Sequence, residues 1–202
     1  MDKLIVKGGR KLKGTVTVSG AKNSVLPIMA ATLLTREECI IEQVPRLSDV
    51  FTMVKILEVL GKDVTFDDHT LVVRHRSSRP HKAPYELVKT MRASVCVLGP
   101  LLAARRKAHV SMPGGCVIGV RPIDLHVKGL EALGARFRIE EGYCVGEVAP
   151  GGLRAGAVYL GGPFGSSVLA TGNVMMAAAL AEGITIIDFA ACEPEVADLA
   201  AV

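Results

Sequence analysis

The stretch from Leu47 to Val73, LSDVFTMVKILEVLGKDVTFDDHTLVV, reads as one helix followed by a two-strand hairpin. Apolar residues recur at helical spacing from Leu47 to Leu60. Ser48 or Asp49 stands near the start, and Gly61 sits where a left-handed stop is needed. Val64–Phe66 and Leu71–Val73 then form the hairpin, turning at Asp67-Asp68.

The pattern returns. A helix from about Ile123 to Leu133 is followed by Gly134, then by a hairpin around Ala135–Ile139 and Tyr143–Val148 that turns at Glu141-Gly142. Each of these helices is preceded by another. One covers 21–34, with Leu26, Met29, Leu33 and Leu34 on an apolar stripe; the other covers 84–103 and ends in Leu101-Leu102. Strands at Ile40-Ile41 and at 108–112 separate the two helices of each round, and the alternation at 14–18 reads as a further strand. A third round opens with helix 168–182, strand 184–188 and a helix beginning near Glu195. Asp49, Asp124 and Asp198 hold the same place in the three rounds, at intervals of 75 and 74 residues. A fixed period means one supersecondary unit used repeatedly, and the alternation of helices and strands puts the chain in the α/β class. The third round reaches Val202 without its Leu-Gly stop and hairpin. The sequence is therefore expected to be incomplete. A sheet edge would stay unpaired and apolar helix faces uncovered, giving a marginal or aggregation-prone product unless another segment completes it.

Length allows one large domain or two small ones. Half the residues are hydrophobic, aromatics are 4% and Trp is absent, so the core must be Leu, Val, Ile, Ala and Met. A net charge of +4 suits an anionic small substrate. No long Lys/Arg run with interleaved aromatics points to nucleic acid, and Arg105-Arg106-Lys107 reads as a solvated helix end. The opening Met1-Asp2-Lys3-Leu4 has no signal-peptide pattern, and no apolar run reaches the ~18 residues of a membrane span, so the expected location is the cytoplasm. The five cysteines are an odd number and form no Cys-x-x-Cys pair and no His-flanked zinc spacing. Cys39 and Cys96 read as small core residues; Cys144 and Cys192 stay open.

Chemistry concentrates in four places. Pro113-Gly114-Gly115-Cys116, then Gly119, then Arg121-Pro122-Ile123-Asp124-Leu125-His126 sets a thiol in a glycine loop beside an arginine, a carboxylate and an imidazole. A thiol near cationic groups and a helix start has its thiolate favoured and can exchange a proton or attack. The plain alternative for Gly-Gly-Cys alone is a tight turn with a buried structural cysteine; the charged run behind it argues against that. Ser19-Gly20-Ala21-Lys22-Asn23 turns into a helix whose first amides attract anions, with Lys22 adding charge, although an ordinary helix entry looks the same. Lys89-Thr90-Met91-Arg92-Ala93-Ser94 places Arg92 in an apolar helix, where it needs a structural carboxylate or a ligand phosphate. Gly161-Gly162-Pro163-Phe164-Gly165-Ser166-Ser167 is a further glycine loop opening a helix, able to meet a phosphate or simply to turn.

In order and spacing these clusters resemble the enolpyruvyl transferase family, and within it the carboxyvinyltransferases acting on UDP-N-acetylglucosamine. The resemblance is carried by Met1-Asp2-Lys3, Gly20-Ala21-Lys22-Asn23, Ala83-Pro84-Tyr85, Val88 to Ser94 and Pro113 to His126. It continues through Leu180-Ala181-Glu182-Gly183 and Cys192-Glu193-Pro194-Glu195, so it runs along the whole chain. It implies repeated βαβαββ units, three in each of two lobes, with the third unit here truncated. Residues 1–20 would belong with the second lobe, and 21–202 would form the lobe that carries the catalytic loop.

The implied reaction transfers enolpyruvyl from phosphoenolpyruvate to the 3′-hydroxyl of UDP-N-acetylglucosamine, releasing phosphate, as the first committed step of peptidoglycan synthesis. The resemblance implies neither metal nor cofactor. Cys116 would deliver a proton to the methylene carbon or hold a covalent adduct. Lys22 and Arg121 would hold phosphate and carboxylate. Asn23 would form the floor, Arg92 would contact the nucleotide sugar, and Arg121, Pro122, Ile123, Asp124 and Leu125 would wrap the uridine end. Where the family often shows a lysine before a Ser-Val-Gly turn, this chain has Gly165-Ser166-Ser167-Val168-Leu169, so only Ser167 and Val168 carry over. The second lobe's aspartate base and arginine clamps have no counterpart here. Catalysis is therefore expected to need a complementary C-terminal lobe, the alternative being a non-catalytic product that is inert or binds UDP-sugar weakly.

Overall fold

The computed structural model describes residues 3–112, 123–163 and 165–202. Each round of the sequence pattern folds against a small sheet of its own. The first comprises α1 (Lys22–Ala31), continued by a 3₁₀ turn at Thr32–Leu34, then β1 (Cys39–Ile41), α2 (Ser48–Val59), β2 (Lys62–Asp67) and β3 (Thr70–His75), with sheet order β1-β3-β2. The second comprises β4 (Lys82–Ala83), α3 (Tyr85–Val88), a 3₁₀ helix at Arg92–Val97, α4 (Leu98–Arg105), β5 (Lys107–Ser111), α5 (Asp124–Ala132), β6 (Ala135–Glu140) and β7 (Tyr143–Val148). Its sheet order is β4-β5-β7-β6. The third comprises β8 (Ala157–Tyr159), α6 (Val168–Ala178), β9 (Ile186–Asp188) and α7 (Pro194–Ala200), with β8 parallel to β9.

The two hairpins close with the same two-residue spacing: Asp67 faces Thr70, and Glu140 faces Tyr143. The first turn therefore lies at Asp68-His69, one residue later than expected, with Asp68 at a φ of 45°. The second lies at Glu141-Gly142 as expected. Both of its residues have positive φ, which matches the twist of a two-residue hairpin.

Further expectations are corrected. Helix 84–103 is interrupted. Met91 is extended, at φ −146° and ψ 118°, and the α-helix resumes only at Leu98. Pro100 has no N–H to return to Cys96, so it is tolerated only in the first turn of a new helix. No strand forms at 14–18. Residues 3–20 lie in no helix or strand, and Leu4, Ile5, Val6, Leu12, Val16 and Val18 are exposed. A strand's backbone groups need a neighbour, and among the described residues no strand pairs with this segment. Arg105 is not a solvated helix end either. It donates to the carbonyls of Leu60 (2.7 Å) and Pro80, tying the first unit to the second.

The core sits where the helices of the three units meet. α6 packs on α4, α5 and α7, and it buries Ala170 through Val174 together with Met176 and Ala177. Small residues set these crossings. A β-carbon on Gly99 would stand 2.2 Å from the Asn173 carbonyl oxygen, and one on Gly129 2.4 Å from Val174. Cys96 and Cys144 are buried, and burial pushes their thiols up to about 12 and about 11. Cys39 is only half-buried, on β1 at the sheet edge, and Cys192 is exposed.

Candidate functional site

Gly20 passes so close to Gln43 that a β-carbon there would lie 1.9 Å from the Gln43 carbonyl oxygen. Only glycine permits that approach, which leads the chain into α1 with Ala21 as an extended N-cap. Ala21 supplies no side-chain acceptor and the first turn holds no acid, so among the described residues no side-chain cap takes the amides at the start of α1, the kind of group that attracts an anion. Pro27 inside α1 cannot return an N–H to the Asn23 carbonyl, which leaves that oxygen without its helical donor.

Lys22 and Asn23 open onto a cleft of about 410 Å³ whose walls include Asp49, Arg92, Val168 and Glu195. All three units contribute. Lys22 Nζ donates to Asp49 Oδ2 at 2.8 Å, with both side chains partly exposed. Arg92, the first residue of the 3₁₀ helix that follows the extended Met91, lines this cleft. Val168 is the first residue of α6. Ser167 caps that helix, its Oγ accepting from the Ala170 amide at 3.3 Å. The Ser167 hydroxyl thus already has a helix-capping role beside whatever it offers a ligand.

Ile123 and Asp124 line a different cleft, of about 510 Å³, with Val127 and Phe137. Leu125 packs toward the third glycine loop, where a β-carbon on Gly162 would lie 3.3 Å from its methyls. Lys22, Asn23, Arg92 and Val168 are therefore brought together, with Ser167 adjoining Val168, while Ile123, Asp124 and Leu125 stand apart from them. Cys116, Arg121 and Pro122 lie outside the described residues. A larger cavity of about 790 Å³ is lined by apolar groups such as Ile28, Ile41, Met176 and Ile187, and none of the described site residues lines it.

Sequence reasoning missed the partners of α1. Asp49 meets Lys22, and Asp198 Oδ2 accepts from Ser24 Oγ at 2.5 Å. Their equivalence across the repeats was the available signal. It is loose in helical terms, since Asp49 and Asp124 fall in first turns whereas Asp198 lies within α7.

The sequence profile of the family described as EPSP synthase (3-phosphoshikimate 1-carboxyvinyltransferase) matches residues 6–202. A UDP-N-acetylglucosamine 1-carboxyvinyltransferase of Methylacidiphilum infernorum is 57% identical over 99% of this chain and 47% of its own length. One from Lawsonia intracellularis is 50% identical, again over 99% and 47%. The chain thus spans about half the length of the curated relatives it matches. Among solved structures, the enolpyruvyl transferase NikO from Streptomyces tendae aligns with a TM-score of 0.77 at 22% identity, covering 96% of this chain and 45% of that one. An EPSP synthase from Acinetobacter baumannii aligns at 0.69 and 15%, covering 91% and 42%. These two likenesses show the shared fold.

Proposed function

The chain belongs to the EPSP synthase (3-phosphoshikimate 1-carboxyvinyltransferase) family, and from that premise we propose that it supplies one lobe of a UDP-N-acetylglucosamine carboxyvinyltransferase. The reaction transfers enolpyruvyl from phosphoenolpyruvate to the sugar 3′-hydroxyl and releases phosphate. The observation that carries this reading is the convergence of Lys22, Asn23 and Arg92 on one cleft beside the open start of α1. The 57% identity to a carboxyvinyltransferase supports this choice of substrate.

In this reading Lys22 and the α1 amides hold the phosphate or carboxylate of phosphoenolpyruvate and stabilise charge as the tetrahedral intermediate forms. Arg121 shares that role. Cys116 gives its proton to the methylene carbon, chemistry that suits a thiol because its pKa of ~8.5 is tunable toward neutrality. Arg92, Ile123, Asp124, Leu125, Ser167 and Val168 take the nucleotide sugar. Residues 1–20 belong with a second lobe, residues 21–202 form this one, and a complementary C-terminal lobe is the partner. Closure of the two lobes excludes water and completes the site. The product feeds peptidoglycan synthesis in the cytoplasm.

The test is phosphate release from phosphoenolpyruvate with UDP-N-acetylglucosamine present, for this chain alone and for this chain mixed with a C-terminal lobe from a close relative. Turnover is expected in the mixture and to fall at least about a hundredfold with Cys116→Ser. Robust turnover by the chain alone would refute the need for the second lobe. No turnover and no UDP-N-acetylglucosamine binding in either case would refute the function.

A further inference from the structure

Asn173, in the middle of α6, is wholly buried and joins three segments. Its Oδ1 accepts from the Gly99 amide at 2.7 Å. Its Nδ2 donates to the Val95 carbonyl at 2.9 Å and to His126 Nδ1 at 2.8 Å. The first bond decides the rest. The Gly99 N–H is a donor, so the atom facing it must be the amide oxygen, and the NH₂ group must face His126. His126 Nδ1 is then an acceptor, and the ring proton sits on Nε2. His126 is itself buried, in the first turn of α5, next to the residues at 123–125 assigned above to the nucleotide sugar. Its Nε2 has no hydrogen-bond partner among the described residues. Burial, with the Arg92 guanidinium nearby, pushes the imidazole down to about 3, so the ring is neutral at ordinary pH.

The NH₂ group of this amide thus bonds both to the 3₁₀ segment that begins at Arg92 and to the start of α5, while its oxygen holds α4. Backbone packing leaves no slack at this point. The Gly99 β-carbon position is already 2.2 Å from the Asn173 carbonyl and 2.9 Å from its Oδ1. A buried amide with every group engaged fixes its neighbours more sharply than apolar contact does.

We propose that His126 is a positioning residue: through the Asn173 amide it locks the Arg92–Val97 turn to the first turn of α5, and so sets the spacing of the nucleotide-sugar contacts on the two segments. The ligand in this statement rests on the function proposed above; the lock does not.

Nitrogen-15 NMR of this chain tests both parts. The parent protein should show His126 as the neutral Nε2–H tautomer from pH 5 to 8. In His126→Leu the amide resonances of Arg92–Val97 and of Asp124–Leu125 should shift together, and UDP-N-acetylglucosamine affinity should fall about tenfold. In His126→Asn, whose side-chain oxygen stands where Nδ1 stood, the resonances should stay near their parent values and affinity within about threefold. The asparagine variant is still expected to melt at least as low as the leucine variant, because its side chain fills less of the site. Binding that follows the melting temperature in both variants would mean a purely structural residue and overturn the proposal. An Nδ1–H or protonated ring in the parent, or movement of one segment without the other, overturns it as well. If the parent fails to bind UDP-N-acetylglucosamine while the tautomer and the paired shifts hold, the lock is supported and the substrate reading falls.

Discussion

Lys22 and Asp49 face each other at 2.8 Å across the mouth of the cleft, with 43% and 29% of their side-chain surfaces exposed. A pair this accessible contributes about 0.5–1 kcal/mol at most to folding. Its larger effect is on ligands, because the carboxylate neutralises the cation that would attract an anion. Asp49→Asn is therefore expected to leave the melting temperature within a few degrees. It should strengthen inorganic phosphate binding about threefold at low salt, with the gain shrinking in 0.5 M NaCl. Titration calorimetry at the two salt concentrations reads this directly, and unchanged or weaker phosphate binding would show that Asp49 only holds Lys22 in place. Lys22 was legible in the sequence because a glycine turn before a lysine at a helix start is a local pattern. Asp49 was legible only as a repeat position, since its partner lies 27 residues away.

At the scale of elements, the sequence carried the hairpins and most helices because their periodicity and their Leu-Gly stops are local. It failed where two neighbouring signals merged. The apolar run at 84–103 hides a break at Met91 and a restart at Leu98, and Arg92, which lines the cleft, sits at that break. β4 and β8 also escaped notice. They are two and three residues long, and only their parallel pairing with β5 and β9 makes them strands. The tightest helix crossing supplies a test. Gly99→Ala would place a methyl 2.2 Å from a backbone oxygen, so α4 and α6 must separate. We expect a loss of about 2–4 kcal/mol in urea unfolding, against less than about 1 kcal/mol for Gly151→Ala, where nothing lies within 4 Å. Equal losses would mean that the crossing is not closely packed.

For the whole molecule, the buried helix junction predicts how stability depends on pH. His126 is lowered from 6.5 to about 3, chiefly by burial and also by Arg92. Below pH 6.5 the unfolded chain takes up a proton that the folded state refuses, so this group removes stability as pH falls toward 3. The loss should reach roughly 2–3 kcal/mol by pH 4.5. Urea melts at pH 7.5 and 4.5 should show it, and His126→Asn should flatten that part of the slope; an equal slope in the variant would refute the assignment. The sequence by itself determined the repeated unit, the α/β class, the family and the candidate residues, because periodicity, stop signals and motif order are properties of neighbours along the chain. The tertiary structure decided which of those residues meet. Lys22, Arg92 and Val168 come from three units and share a cleft, while Ile123 and Asp124 face another, and Asn173 and His126 find each other across 47 residues. Such juxtapositions depend on how buried helices cross, and crossing is set by the removal of side-chain bulk at Gly99 and Gly129, which leaves no periodic trace in the sequence.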